Sequence, residues 1–162
     1  MKLSQFTDFG LRISMYMAQK HAAPSATTIT ELSEKFGISR NHLVKVVQFL
    51  SGKGVIAAQR GRGGGLRLGD HPANIKIGQL VQLLEQSEGL INCRTTHCFL
   101  DGSCLLRYVL DNAYQELISF LDKYSLQDVT GGRTGAMLQQ LIQGHTPPPA
   151  AVRLPEPAKE QA

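Results

Sequence analysis

The chain has 162 residues, enough for one domain of ordinary size and too few for two comfortable ones, and its 42% hydrophobic and 19% charged content with no tryptophan is that of a soluble globular protein. No stretch approaches the roughly 18 uninterrupted apolar residues of a membrane span. The net charge of +4 is unevenly spread, with ten Lys/Arg against three Asp/Glu in residues 1–69 and seven against ten in residues 70–162; a basic first half suits either a phosphate-neutralising surface or plain solubility.

Asp8 and Arg12 interrupt any signal-peptide core, so the expected location is the cytoplasm. Leu3 to about Lys20 predicts an amphipathic helix with Leu3, Phe6, Phe9, Ile13 and Met17 toward the core. After a loop containing Pro24, Thr30 is the expected N-cap of a short helix, Glu31–Phe36, stopped by Gly37. Ser39 caps a second helix from Arg40 to about Ser51, with Leu43, Val46, Val47 and Leu50 on its buried side. Two strands, Val55–Arg60 and Leu66–Leu68, flank the turn Gly61–Gly65. Residues 78–87 predict a helix with Leu80, Val81, Leu83 and Leu84 inward. A polar loop carrying three cysteines leads to the longest periodic run, Leu105–Tyr124. There Leu106, Val109, Leu110, Ala113, Leu117, Phe120, Leu121 and Tyr124 form a stripe wide enough to need cover from a second copy of the chain. Beyond Gly131-Gly132 the pattern fades, apart from a short helical signal at Met137–Ile142, and the Pro-rich ending reads as a disordered tail.

Two short helices joined at Gly37-Ile38-Ser39 and followed by a hairpin are the order of a winged helix-turn-helix. The second helix presents Arg40, Asn41, His42 and Lys45 in its first turns. Arg can grip guanine through two acceptors, Asn can read adenine, and Lys45 one turn on suits a phosphate. Any one of these residues could be ordinary solvated surface; their conjunction with turn and wing favours DNA. The glycine turn lacks the Gly-Lys-Ser/Thr ending of a phosphate-binding loop. As a wing tip it lets Arg60 and Arg62 enter the minor groove and Arg67 meet a flanking phosphate.

The spacing Cys93-x4-Cys98-x5-Cys104 is wider than the close pairs of structural zinc sites. Three thiolates on such a loop suit a multi-atom iron–sulfur core, with a metal-free thiol sensor as the main rival and zinc behind it. A cluster would need a fourth ligand of another type, for which His97 and Asp101 are near and Asp8 is distant in sequence. An iron–sulfur electron carrier is the rival from another class, and the helix-turn-helix argues against it. No catalytic arrangement stands out, because the remaining histidines, His21, His71 and His145, fall in loop or tail segments. The chain is expected not to be an enzyme.

Four segments resemble one family in a single register: Ser4–Arg12, Ile38–Lys45, Arg60–Leu68 and the cysteine loop. They are similar to the Rrf2-type regulators, most closely those that respond to nitric oxide. The resemblance implies a mainly α fold with a small β-hairpin wing, a winged helix-turn-helix domain plus a long dimerisation helix. It places the helix-turn-helix at about 28–51, the wing at 55–69, the cluster loop at 89–104 and the dimerisation helix at 105–124 within a domain of residues 2–130, leaving 131–162 as tail. It further implies a homodimer, a [4Fe–4S] or [2Fe–2S] cluster per subunit on Cys93, Cys98 and Cys104, and double-stranded operator DNA as partner. Repression would be relieved by nitric oxide, with no membrane involved. Asp8 matches a position that supplies the fourth ligand from the partner subunit in some relatives; its alternative is a surface salt bridge with Arg12. Sister regulators of cluster biosynthesis carry a histidine where this chain has Arg107, which disfavours that role.

Overall fold

In the computed structural model, which describes residues 2–23, 25–59, 61, 64–87, 89–91, 93, 98–100 and 102–144, the first helix, α1 (Gln5–Gln19), is the element around which the others pack. It starts at Ser4, whose side chain accepts from Thr7 N–H at 3.1 Å. Leu3 therefore lies before the helix and is exposed, contrary to its predicted place in the core. Ile13, Tyr16 and Met17 are buried, and Phe6 and Phe9 are half-buried against them. Each such side chain removed from water is worth about 1.5–3 kcal/mol.

α2 (Ile29–Phe36) begins at Thr28 rather than Thr30. The Thr28 hydroxyl accepts from Glu31 N–H at 3.1 Å while the Glu31 carboxylate accepts from Thr28 N–H at 3.3 Å. This reciprocal box satisfies two donors at once, and a cap at Thr30 would have left Glu31 out of register. Gly37 ends α2 at φ +63°, a left-handed conformation that glycine adopts without strain. Ser39 then caps α3 (Arg40–Gly52), which buries Leu43, Val46, Val47 and Leu50 as expected.

The wing is shorter on its first strand than predicted: β1 (Ile56–Gln59) pairs antiparallel with β2 (Gly65–Leu68), Ile56 opposite Leu68. Leu66 also exchanges both backbone hydrogen bonds with Thr27, at 3.0 and 2.7 Å, so the segment before α2 borders the hairpin and fixes the wing to the helix-turn-helix.

α4 (Ile77–Glu85) crosses α1 so closely that a Cβ on Gly10 would stand 2.6 Å from Leu84 Cδ2. α5 (Leu105–Leu121) ends three residues earlier than predicted and lies on α4. Its buried residues are Tyr114 and Ile118, packed with Val81, and the predicted stripe residues Leu106, Val109, Phe120 and Tyr124 are exposed. The helix therefore has two apolar faces. α6 (Leu126–Val129) and α7 (Gly132–Ile142) follow. α7 places part of the predicted tail in the folded body: Gly135 is buried, Leu141 and Ile142 pack against the core, and Lys35 Nζ donates to Ile142 O at 3.3 Å. Residues 145–162 lie outside the described residues. Among those described, no helix is long and apolar enough to cross a membrane.

α1 and α2 are also joined by charge. Glu31 Oε1 accepts from Tyr16 Oη and from Lys20 Nζ, both at 2.7 Å. Burial works against the Glu31 carboxylate, but the bonds from Lys20, Tyr16 and Thr28 outweigh it and lower its pKa. Burial, then the bond to Glu31 and its charge, push the Tyr16 phenol well above its ordinary range.

Two outcomes follow. Gly10→Ala should lower stability in urea unfolding by on the order of 1–3 kcal/mol, less the small helix-propensity gain of alanine, because the buried Leu84 would have to shift within a packed core. A depressed carboxylate pKa stabilises the fold above its ordinary value of 4.5 and loses that contribution as pH falls through the lowered value. Glu31→Gln should therefore flatten the acid side of a stability-versus-pH curve below 4.5, and an unaltered slope there would contradict the network's role.

Candidate DNA interface and cysteine loop

The helix-turn-helix depends on a tight connection. Ile38 is buried, its carbonyl accepts from the Ser33 hydroxyl at 2.7 Å, and α3 is thereby turned so that its polar side faces outward. Arg40, Asn41, His42 and Lys45 are all exposed on the first turns of α3. They are not equivalent. Arg40 Nη1 donates to the Thr30 hydroxyl, linking the two helices of the motif. The His42 ring lies against Phe9 of α1, with centroids 6.0 Å apart. Gln48 extends the same exposed face; helical spacing from Asn41 and Lys45 would have revealed it, but its distance from the helix start hid it from a reading centred on the first turns.

Arg67 is exposed on β2, and its Nη1 donates to Ala23 O at 3.1 Å across the loop before α2. The wing turn is closed by a Gly64 N–H bond to Gly61 O at 2.9 Å. The predicted minor-groove residues Arg60 and Arg62 lie outside the described residues, as do His97 and Asp101 of the cysteine loop.

Cys93, Cys98 and Cys104 are half-buried and form no disulfide. Cys104 is the N-cap of α5, yet its side chain makes no capping hydrogen bond. The thiol thus sits at the N-terminal end of the long helix, where the loop joins it. It borders an open cleft of 460 Å³ with Arg107, Tyr108 and Asp111 on its walls. The opposite end of the loop is tied down where Tyr114 Oη donates to Ser87 O at 2.9 Å. Among the described residues no three His, Cys, Asp or Glu side chains converge as a metal-binding group. Soft thiolates from one short loop fit an iron–sulfur group by donor chemistry, and binding it requires the loop to draw the three together.

Asp8, in the first turn of α1, pairs with Arg12 Nε at 2.9 Å. Both side chains are about half-exposed, so the pair is the weak helix-surface kind. Arg12→Ala should therefore change unfolding stability by no more than about 0.5 kcal/mol, measured by urea titration; a larger loss would show that Asp8 is committed to this ion pair.

Comparisons with known proteins agree with this architecture. Three solved structures share the fold. CymR (YrzC), the global cysteine regulator of B. subtilis, is 24% identical, with 80% of this chain and 95% of that one covered and a TM-score of 0.65. The oxidized form of Staphylococcus aureus CymR is 20% identical over 82% and 98%, with a TM-score of 0.64. IscR of T. potens is 22% identical over 80% and 85%, with a TM-score of 0.62. Residues 3–132 match the family described as Rrf2, iron-dependent transcriptional regulator. Helix-turn-helix, wing and family match together make this chain a transcriptional regulator rather than an enzyme, and a member of the Rrf2 family.

Proposed function

We propose that this Rrf2-family regulator is a cytoplasmic homodimeric repressor of the nitric-oxide-sensing type, NsrR, and that it controls nitric oxide detoxification genes. The observation that carries the reading is the position of the cysteines. Three thiols that form no disulfide lie within twelve residues, the last of them at the start of a helix whose outer face is apolar and exposed. A change at the thiols therefore acts directly on the helix that a second subunit would cover.

In this reading Cys93, Cys98 and Cys104 hold an iron–sulfur group, [4Fe–4S] or [2Fe–2S], and Asp8 of the partner subunit completes the ligand set. The group would supply iron that nitric oxide binds. The chain's own residues do the rest. Leu106, Val109, Phe120 and Tyr124 bury against their counterparts in the dimer, as exposed apolar stripes of this length do. Asn41 reads a base edge and Lys45 a phosphate, while Arg40 links α2 to α3 and with His42 borders the groove. Arg60, Arg62 and Arg67 serve the wing. The two recognition helices must fall about 34 Å apart to meet half-sites one DNA turn apart.

Anaerobically purified protein should contain iron and sulfide and lose operator affinity on nitric oxide titration; each Cys→Ser substitution should abolish both properties. Protein without iron that binds its operator and responds to oxidants instead would establish the thiol sensor. Asp8→Ala should alter the cluster's absorption spectrum, and an unchanged spectrum returns Asp8 to its salt bridge. At the DNA, Asn41→Ala should cost about 1–3 kcal/mol at one base position. Lys45→Ala should instead weaken all sequences alike and reduce the slope of log affinity against log salt by about 1.

A further inference from the structure

α4 has no cap of its own. Lys76 stands at its N-cap position and makes no side-chain capping bond. The bond comes from another helix: Asp122, which terminates α5, accepts from Gln79 N–H at 2.8 Å. Gln79 is the third residue of α4, the position an N-cap side chain ordinarily serves. The carboxylate also faces the positive end of the α4 dipole. The two helices approach so closely there that a Cβ on Gly78 would stand 2.4 Å from Ile118 O and 2.5 Å from Asp122 Oδ1. Ile77 N–H donates to Tyr124 O and Leu126 N–H to Ile75 O, both at 2.9 Å, on either side of the same contact.

The other end of α4 is fixed to α1. Glu85 Oε1 accepts from Ser4 N–H at 2.8 Å, and Leu84 fills the space beside Gly10. α4 is thus a strut between the DNA-reading head and the long helix, packed on the latter through Val81 against Tyr114 and Ile118 and latched at its N-terminal end by the Asp122 carboxylate. The cysteine-bearing end of α5 lies at the far end of 17 residues, about 25 Å away, with Leu105, Leu106 and Val109 exposed. A tilt of about 10° at the latch moves that end by about 4 Å.

We propose that Asp122 is a positioning residue: it sets the angle between α5 and the DNA-reading head, and through that angle the half-site spacing the dimer accepts. The inference rests on the dimer proposed above. It differs from a role in folding alone, because a positioning residue controls which spacing is preferred and leaves the binding of one half-site intact.

The test uses full-length, anaerobically purified protein and a duplex that the wild-type chain selects from randomised DNA. Versions with the half-sites moved together or apart by about 1–3 base pairs, and a duplex with a single half-site, complete the set. Wild type should bind one spacing best. Asp122→Ala should bind the single half-site within about twofold of wild type, while its preference for the best spacing falls by about tenfold, within the range of coupling between two sites. Asp122→Asn keeps an acceptor oxygen but loses the charge, so it should show a smaller loss; it decides the matter if Asp122→Ala does not fold. A wild-type spacing profile in a folded Asp122→Ala, or in Asp122→Asn if alanine is not tolerated, overturns the proposal. Equal loss of half-site and full-site binding overturns it too. A wild-type protein that sediments as a monomer and shows no spacing preference would instead sink the dimer reading, and this inference with it.

Discussion

The burial of α1 is the constraint on which the rest of the molecule depends. Ile13 and Tyr16 have no exposed surface, and the helix touches α3, α4, α6, α7 and the wing strand β2. Because cores are packed as tightly as crystals, the small residue at Gly10 matters as much as the large ones. It lets Leu84 of α4 settle against the helix backbone. The buried phenol of Tyr16 would be costly alone, and its bond to Glu31 satisfies it while joining α1 to the start of α2. One helix thereby holds the DNA-reading pair on one side and the strut to α5 on the other.

That arrangement divides the polar residues of α3 by what they can still do. Arg40 and His42 are engaged within the protein, one with Thr30 and the other against Phe9, whereas Asn41, Lys45 and Gln48 continue an outward face. A DNA surface that is partly held in place before binding loses less side-chain entropy on association. The wing is held likewise, by the Thr27–Leu66 backbone pairing and by Arg67 reaching Ala23. Its position relative to α3 follows from backbone hydrogen bonds, which charge alone could not supply.

α5 joins the two halves of the molecule because it has two apolar faces with different fates. Tyr114 and Ile118 close against Val81 within the chain, and Leu106, Val109 and Phe120 remain outside. A helix whose outer apolar face begins directly after a thiol at its N-cap joins the chemistry of the loop to the packing of the helix. Burial and the charge of Glu85 raise the pKa of Tyr114, whose hydroxyl donates to Ser87 O where the cysteine segment departs. The loop is therefore tied to α5 at its origin as well as at Cys104.

By itself the sequence determined the helix-turn-helix and the hairpin of the wing. Period-3.6 burial and the glycine at the turn are local signals, and both survive in the structure; the three thiols are close in sequence, but among the described residues no three metal-binding side chains converge. It misplaced what depends on partners distant in the chain. Thr28 outcompeted Thr30 as a cap because only Thr28 can share a reciprocal bond with Glu31. α7 joined the body because the core accepts Leu141 and Ile142; the helical signal at Met137–Ile142 announced a short helix but not where it packs. The stripe on α5 was legible as apolar, but which part of it the chain covers was decided by α4, through Gly78 and the carboxylate of Asp122. Those contacts lie about forty residues apart in sequence, and a period read along one helix carries no information about the face another helix will take.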